Sequence, residues 1–408
     1  MAQSRTVFTI EGGARLNGRM KAGWSILGLL ALAAVNVATR AAPRARDLGI
    51  PFDGTPGPLN AITDVAGVTV GHTTLVSGDG KLRVGAGPVR TGVTAVLPRG
   101  KQTLDSPVFA GWYSLNGNGE MTGTSWVEES GFLEGPVMIT NTHSVGVVRD
   151  AVIQWRVGKG NPDTSDYWWS LPVVGETWDG WLNDVNGFHV KPEHAIRALN
   201  SAAGGAVEEG SVGGGTGMIC NGFKGGIGTS SRRLADADGG YTVGVLVQCN
   251  YGTRQNLRIA GIPVGREIEA PEPYTFMPSD LAERGSIIVV VATDTPLLPH
   301  QLKRLARRVP LGLGRNGSIS GNGSGDLFIA FSTANQDAGL AAGVRDLKMM
   351  PNDSLDAVFA ATVAATEEAI VNAMVAARDM TGADGHRVIG LPHDRLRAIL
   401  KKYNRLLP

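Results

Sequence analysis

Short apolar stretches alternate with glycine-rich turns along the chain from Asp47 onward. Most of these stretches combine β-branched residues with glycines at their ends, a pattern that predicts strands bounded by turns. The strands predicted in this way are 67–75, 92–97, 135–139, 217–220 and 241–248.

A second pattern, with apolar residues three or four positions apart, predicts helices. Pro192 stands at the start of one of them, and Asp353 or Ser354 is the expected N-cap of the longest, which Gly382 follows. The predicted helices are 144–156, 193–201, 299–308 and 355–379.

One predicted strand is apolar on both faces. Residues 286–293 form a continuous apolar run, which is typical of a fully buried strand. The run follows a segment at 270–285 whose three prolines and scattered charges predict an exposed loop. A backbone that passes directly from such a loop into a core strand, as it does at Gly285-Ser286, can be cut there without loss of the fold. A further strand is predicted at 326–333.

The most glycine-dense segment, 204–232, has a composition close to that of a flexible linker. It also carries apolar residues such as Met218, Ile219, Phe223 and Ile227, and linkers do not contain so much apolar surface. We therefore predict two strands here, with glycines where another backbone or a substrate comes close. Together the elements predict sheets covered by helices, in a layered α/β fold.

Composition narrows the possible functions. The 408 residues carry a formal net charge of +1 and only 18% are charged, so no basic field favours nucleic acid as a partner. Cys220 and Cys249 match no metal-binding spacing. Two buried thiols beside strands are the favoured interpretation of these cysteines, and a disulfide stays open for an oxidising compartment.

The first 41 residues form a segment of a different kind. Basic residues precede a short apolar run at 24–37, and small residues follow it up to Ala41. This pattern predicts a secretory signal peptide at 1–41 that starts at Met1 or Met20. The run is shorter than the ~20 residues of a spanning helix, and an N-terminal membrane anchor is the alternative. We expect a periplasmic or secreted protein without stable membrane association after signal removal.

Common hydrolytic motifs are missing from the sequence. No HExxH or Cys/His cluster offers zinc ligands, and none of the seven histidines stands in a recognisable triad context. The glycine-rich GGGTGM and GNGSGD match neither of the common phosphate-binding motifs. An N-terminal serine would supply the missing base, because an α-amine with a pKa near ~8 can accept the hydroxyl proton.

Two segments closely resemble the DmpA-like aminopeptidases, which include β-peptidyl aminopeptidases and L-aminopeptidase/D-amidases. They are RGSIIVVVATDTPLLPHQLKRLARR at 284–308 and SGNGSGDLFIAFSTAN at 320–335. The resemblance extends over nearly the whole chain after the predicted signal peptide, through 57–75, 116–123, 136–151, 172–184 and 213–232. It implies an αββα sandwich that resembles N-terminal-nucleophile hydrolases but has a different connectivity.

The resemblance also implies a nucleophile, Ser286. This serine would be released when the precursor cuts itself between Gly285 and Ser286, which divides the catalytic domain into an α chain, 42–285, and a β chain, 286–408. Ser324 and Asp326 match the supporting serine and acidic residue of the family. They would hold the amine and hydroxyl of Ser286 in register and stabilise positive charge on the amine.

Three more residues acquire roles through the resemblance. Asn250 matches the oxyanion-hole asparagine, and Glu176 matches the carboxylate that binds the free amino group of the substrate. Trp178, which with Glu176 is expected to bind substrate, stands where the L-aminopeptidase/D-amidase type has a tyrosine near the oxyanion site, and this departure favours the β-peptidyl type. Without the resemblance, Asp326 and Asn250 would be interpreted as turn residues and Glu176 as a solvated charge.

The activity implied is release of unhindered N-terminal residues, above all small β-amino acids, from peptides, amides and esters. The resemblance implies a homo-oligomer without a metal or organic cofactor. Three alternatives stay open: an L-aminopeptidase/D-esterase-amidase of the same family, an ornithine-acetyltransferase-like acyltransferase, and a secreted binding protein without catalysis. The acyltransferases use threonine at the position of Ser286.

Overall fold

The computed structural model describes residues 42–102, 106–159, 169–273, 285–339 and 343–407. The predicted signal peptide and most of the predicted loop at 270–285 lie outside the described residues. The strands within them are β1 (Thr69–Ser77), β2 (Val89–Leu97), β3 (Val108–Gly117), β4 (Phe132–Leu133), β5 (Val137–Asn141), β6 (Val173–Thr177), β7 (Ile219–Cys220), β8 (Phe223–Lys224), β9 (Gly226–Arg233), β10 (Thr242–Asn250), β11 (Ser286–Thr293), β12 (Gly325–Ser332), β13 (Met380–Thr381) and β14 (Arg387–Val388). The helices are α1 (Thr124–Ser130), α2 (Val145–Gly158), α3 (Pro192–Ser201), α4 (Pro299–Ala306), α5 (Val309–Arg315), α6 (Asp356–Ala376) and α7 (His393–Lys402).

Two sheets contain most of these strands. The larger has the spatial order β4-β3-β12-β11-β10-β9, and the smaller has the order β1-β2-β5-β6. β11 lies near the middle of the larger sheet, antiparallel to β10 and parallel to β12. The segments before and after Gly285-Ser286 therefore contribute strands to one sheet.

The two sheets pack face to face, which explains the unbroken apolar run of β11. Alternate residues of a strand point to opposite faces of its sheet. Ile288 and Val290 contact the core between the sheets, whereas Ile287 and Val289 contact the core under the outer helices. Both faces of β11 are thus buried, and apolar residues at every position are the result.

Helices cover the outer faces of both sheets. Side chains of α2 and α3 pack on the smaller sheet, and those of α4, α5 and α6 pack on the larger one. The layers follow the order helix, sheet, sheet, helix, so the expected αββα sandwich is confirmed. α6 is long and apolar enough to span a membrane, but 89% of its apolar window is buried against the protein, as in a core helix.

Several predicted boundaries are wrong for identifiable reasons. The predicted helix at 299–308 ends earlier, and a second helix, α5, follows it, because Pro310 cannot stand inside a continuous helix. The longest helix ends at Ala376 and begins at Asp356, so neither Asp353 nor Ser354 is its N-cap. At its C-terminal end, the His393 ring contacts the Val375 carbonyl at 2.9 Å.

The glycine-dense segment contains the short hairpin β7-β8 and the longer strand β9, in place of the two strands predicted. The structure also pairs Cys220 with Cys249, so the interpretation as two free thiols is wrong. The hairpin lies beside the end of β10, which brings the two Cα atoms to 5.6 Å, within the range of disulfides.

Candidate active site

Ser286 occupies the first position of the central strand β11. Its Cα lies opposite Asn250 on β10 and opposite Gly325 on β12. The Gly325 N–H group donates a hydrogen bond of 3.1 Å to Ser286 Oγ. Directly opposed residues of antiparallel strands project to the same face, with β-carbons about 4.5–5.5 Å apart, so the Ser286 and Asn250 side chains are neighbours.

The residue before the serine is held against the neighbouring strand. A β-carbon at Gly285 would lie 1.8 Å from the Asn250 carbonyl oxygen, so no side chain fits at this position. The peptide bond between Gly285 and Ser286 is therefore pressed against the same strand end that carries Asn250.

Ser324 and Asp326 lie at the start of β12, directly beside the nucleophile. Ser324 Oγ donates to Asp326 Oδ1 at 2.5 Å, and both residues are buried. Burial raises the pKa of Asp326, although the hydrogen bond from Ser324 opposes the shift. Two asparagine side chains hold the turn that carries Ser324. The Asn116 amide donates to the Gly321 carbonyl, and the Asn118 amide donates to the Gly323 carbonyl.

Two hydrogen bonds define the orientation of the Asn250 amide. The Ile219 N–H group donates to Asn250 Oδ1 at 2.7 Å, and Nδ2 donates to the Trp178 carbonyl at 2.9 Å. An amide nitrogen carries two hydrogens, and Trp178 takes one of them. The second Nδ2 hydrogen remains available to donate to a negatively charged oxygen that forms on a carbonyl group next to Ser286.

Glu176 lies near the end of β6, in the smaller sheet, and is buried. The Glu120 N–H group donates to one carboxylate oxygen at 3.0 Å, and the Thr142 hydroxyl donates to the other. Burial raises the pKa of Glu176, while both hydrogen bonds oppose the shift. A buried carboxylate that is bonded only to neutral donors is suited to bind a cation.

Gly119 connects this carboxylate to the nucleophile. A β-carbon at Gly119 would lie 3.2 Å from a Glu176 carboxylate oxygen and 3.2 Å from the α-carbon of Gly325. Gly325 in turn donates to Ser286 Oγ. The two sheets thus bring Glu176 and Ser286 to opposite sides of one glycine turn.

The structure places Trp178 next to Asn250. Its carbonyl group holds Asn250, whereas its ring is half-buried and packs with the apolar cluster that contains Trp181 and Ile219. The structure therefore links Trp178 to the oxyanion side of the site through its backbone.

Sequence reasoning missed several contributors. Gly325 and Ile219 act through backbone N–H groups, which no residue type reveals, and Thr142 and Glu120 contact Glu176 from other parts of the chain. All four residues nevertheless lie within segments that carry the family resemblance, namely 116–123, 136–151, 213–232 and 320–335.

Comparison with known proteins identifies a family of peptidases. The family model of peptidase family S58 matches residues 60–388. The chain is 59% identical over 375 residues to the β-peptidyl aminopeptidase BapA of Sphingosinicella microcystinivorans, a match that covers 89% of this chain and 93% of the relative.

Two solved structures share the fold. The L-aminopeptidase D-Ala-esterase/amidase from Ochrobactrum anthropi, described as a variant of the Ntn hydrolase fold, superposes with a TM-score of 0.83 at 51% identity, over 89% of this chain and 99% of that one. A Burkholderia sp. β-aminopeptidase gives a TM-score of 0.80 at 49% identity, over 88% of this chain and 99% of that one.

Proposed function

Because the chain belongs to peptidase family S58, we propose that it is a self-processing aminopeptidase whose nucleophile is Ser286. Cleavage after Gly285 makes Ser286 a new N-terminus. One observation carries the proposal: the serine that starts the central strand has the Asn250 amide on one side and the Ser324–Asp326 pair on the other.

The chemistry follows from the groups around Ser286. Once the chain is cut, the neutral α-amine accepts the proton of its own hydroxyl as Ser286 Oγ attacks the substrate carbonyl. The amine passes this proton to the leaving amine as the amide bond breaks, and water then hydrolyses the ester formed on Ser286. Asp326 is buried on the neighbouring strand β12, and its negative charge would stabilise the positive charge that the amine acquires. The Asn250 amide stabilises the oxyanion, a contribution on the order of 10²–10³ in rate.

The Glu176 carboxylate would make the enzyme an aminopeptidase rather than an endopeptidase, because it selects substrates with a free amino group. A substrate with a free ammonium group would satisfy the buried carboxylate, and a substrate without one would leave that charge unpaired. The glycine turn at Gly119 lies between the carboxylate and the strand end that carries the nucleophile, so the amino group of the substrate would bind close to the reacting carbonyl group.

We further propose small β-amino acids as the preferred N-terminal residues, as the names of the 59% and 49% identical relatives suggest. The L-aminopeptidase D-Ala-esterase/amidase at 51% identity supports the alternative of an L-aminopeptidase. Initial rates on β-alanyl, L-alanyl and D-alanyl anilides separate the two. An L-alanyl rate that exceeds the β-alanyl rate by orders of magnitude would contradict the β-peptide preference.

The serine in place of threonine at position 286 and the match to a peptidase family favour a peptidase over the acyltransferase alternative. The complete set of Ser286, Asn250, Ser324 and Asp326 argues against a binding protein without catalysis.

Denaturing electrophoresis tests the proposal directly. Wild type should give two bands, the smaller of which begins with Ser-Ile-Ile-Val, whereas Ser286→Ala should stay a single inactive chain. Ser332→Ala is the matched control, because it removes another buried strand hydroxyl that bonds a carbonyl group outside the site. An uncut wild-type chain with full peptidase activity would refute the proposal.

We also propose a periplasmic or secreted location and assembly into a homo-oligomer. The Cys220–Cys249 disulfide supports the location, because disulfides persist in oxidising compartments. Fractionation of cells that express the full chain tests the location, and light scattering of the cut protein tests the assembly.

A further inference from the structure

Lys224 is completely buried next to Asn250, and the chemistry proposed above does not use it. Its Nζ donates to the carbonyl groups of Met218 at 2.8 Å and Gly225 at 2.9 Å, with the Gly215 carbonyl at 3.5 Å. Burial lowers the pKa of Lys224 to about 7, while the charge of Asp179 opposes the shift. Burying an ammonium group costs free energy, because the group loses its hydration, so a functional role would explain why the lysine stands here.

The peptide bond between Met218 and Ile219 joins this lysine to Asn250. Its carbonyl oxygen accepts the hydrogen bond from Lys224 Nζ, and its N–H group donates to Asn250 Oδ1 at 2.7 Å. The ammonium group thus lies at one end of a continuous series of hydrogen bonds, and the Asn250 Nδ2 hydrogens lie at the other. We call this series, from Lys224 through the Met218–Ile219 peptide bond to Asn250, the relay.

We propose that Lys224 is a positioning residue for the oxyanion: its ammonium group polarises the Met218–Ile219 peptide bond, which holds and polarises the Asn250 amide. Hydrogen bonds in a chain strengthen one another, because each donor that loses electron density becomes a better donor for the next bond. The positive charge therefore makes the Nδ2–H groups stronger donors towards a negative oxygen. The inference rests on the oxyanion role proposed for Asn250.

Other contacts already hold the backbone of this hairpin in place. The Cys220–Cys249 disulfide joins β7 to β10, and the Asn221 N–H group donates to the Tyr251 carbonyl at 2.7 Å. Removal of the lysine charge is therefore expected to weaken the polarisation of the Asn250 amide more than it changes the backbone conformation of the hairpin.

The first test is Lys224→Met, which keeps the length of the side chain and removes its charge. We expect kcat on a β-alanyl anilide to fall about tenfold, less than the loss from removing an oxyanion donor outright, with KM nearly unchanged. Lys402→Met, which changes an exposed lysine, is the matched control and should retain the wild-type values. An unchanged kcat, or equal losses in kcat and substrate affinity, would overturn the inference.

A double-mutant cycle with Asn250→Ala separates this inference from the proposed function. If Lys224 acts through Asn250, the double variant loses no more kcat than Asn250→Ala alone. Additive losses would refute the relay and leave the role of Asn250 intact. A full kcat in Asn250→Ala would instead refute the oxyanion role and the relay that depends on it.

Asp179→Asn supplies a second test should Lys224→Met fail to fold. The pKa of Asp179 is raised by burial to about 6, so above this pH its carboxylate helps Lys224 to stay charged. The ratio of kcat between Asp179→Asn and wild type should therefore fall as the pH rises from 5 to about 7, the pKa of Lys224 in wild type, because Lys224 loses its proton at a lower pH in the variant. The Ser286 amine is common to both proteins and cancels from this ratio. A ratio that does not change with pH would show a purely structural effect and overturn the relay.

Discussion

Two regions of the site are constructed in different ways. The nucleophile region consists of Asn250, Ser286, Ser324 and Asp326, and the carboxylate region consists of Glu120, Thr142 and Glu176. The nucleophile region lies at the ends of β10, β11 and β12, which are adjacent strands of one sheet in continuous register. The carboxylate region combines the end of β6 with turns that follow β3 and β5, so it draws on both sheets.

This difference assigns the chemical step to the nucleophile region and the choice of substrate to the carboxylate region. In the nucleophile region, a shift of any member by one position would break a ladder of backbone hydrogen bonds and turn its side chain to the other face. In the carboxylate region, the distance between Glu176 and Ser286 depends on how two sheets and a glycine turn pack. We therefore expect changes in the first region to abolish the reaction, and changes in the second to alter which substrates react.

The largest effect should come from Gly285→Ala in the nucleophile region. The new methyl group would meet the Asn250 carbonyl oxygen, which stands 1.8 Å from its position, and would force Gly285 away from β10. We expect no self-cleavage over a period in which wild type is fully cut, and no peptidase activity, as shown by electrophoresis and anilide hydrolysis.

Gly314→Ala is the control for this variant, because a β-carbon there has open space around it. Melting temperatures of both variants identify any loss of folding. Normal cleavage of a folded Gly285→Ala protein would show that the close packing is not required.

A smaller effect should come from Glu176→Gln in the carboxylate region. The amide keeps an oxygen that accepts a hydrogen bond and removes the charge that would bind an ammonium group. We expect kcat/KM for β-alanyl substrates to fall about 10- to 100-fold, the magnitude of a charge-assisted hydrogen bond. Self-cleavage should continue at the wild-type rate, because it involves no substrate amine. A block of self-cleavage would show that the two regions are not separate.

The smallest effect is a change with pH. The pKa of Glu176 is raised by burial, so as the pH falls its carboxylate becomes neutral at a pH above the ordinary glutamic acid value of 4.5. The advantage of wild type over Glu176→Gln in kcat/KM should therefore be full near neutral pH and disappear on the acid side. Measurement of both proteins at each pH removes the contribution of the Ser286 amine, which they share. An advantage that persists to pH 4 would contradict the raised pKa.

Much of the fold was predictable from local pattern. The central strand at 286–293 was found because a strand buried on both faces must be apolar at every position, and the structure places it at Ser286–Thr293. The helices at 144–156 and 193–201 agree with α2 and α3 because their apolar spacing matches the helical period. Strands β3 and β6 were missed, since pairing with neighbours that are distant in sequence stabilises them more than their own composition does.

The nucleophile candidate and its supporting residues could be identified from the amino-acid sequence, because these side chains carry their chemistry wherever they lie and stand in motifs that resemble known ones. How these residues meet is visible only in the folded chain, in the contact of Gly285 with Asn250, the pairing of Cys220 with Cys249 and the relay from Lys224. These features depend on backbone groups and on distances between segments far apart in the chain. Such distances result from the packing of two sheets, and no short stretch of sequence encodes them.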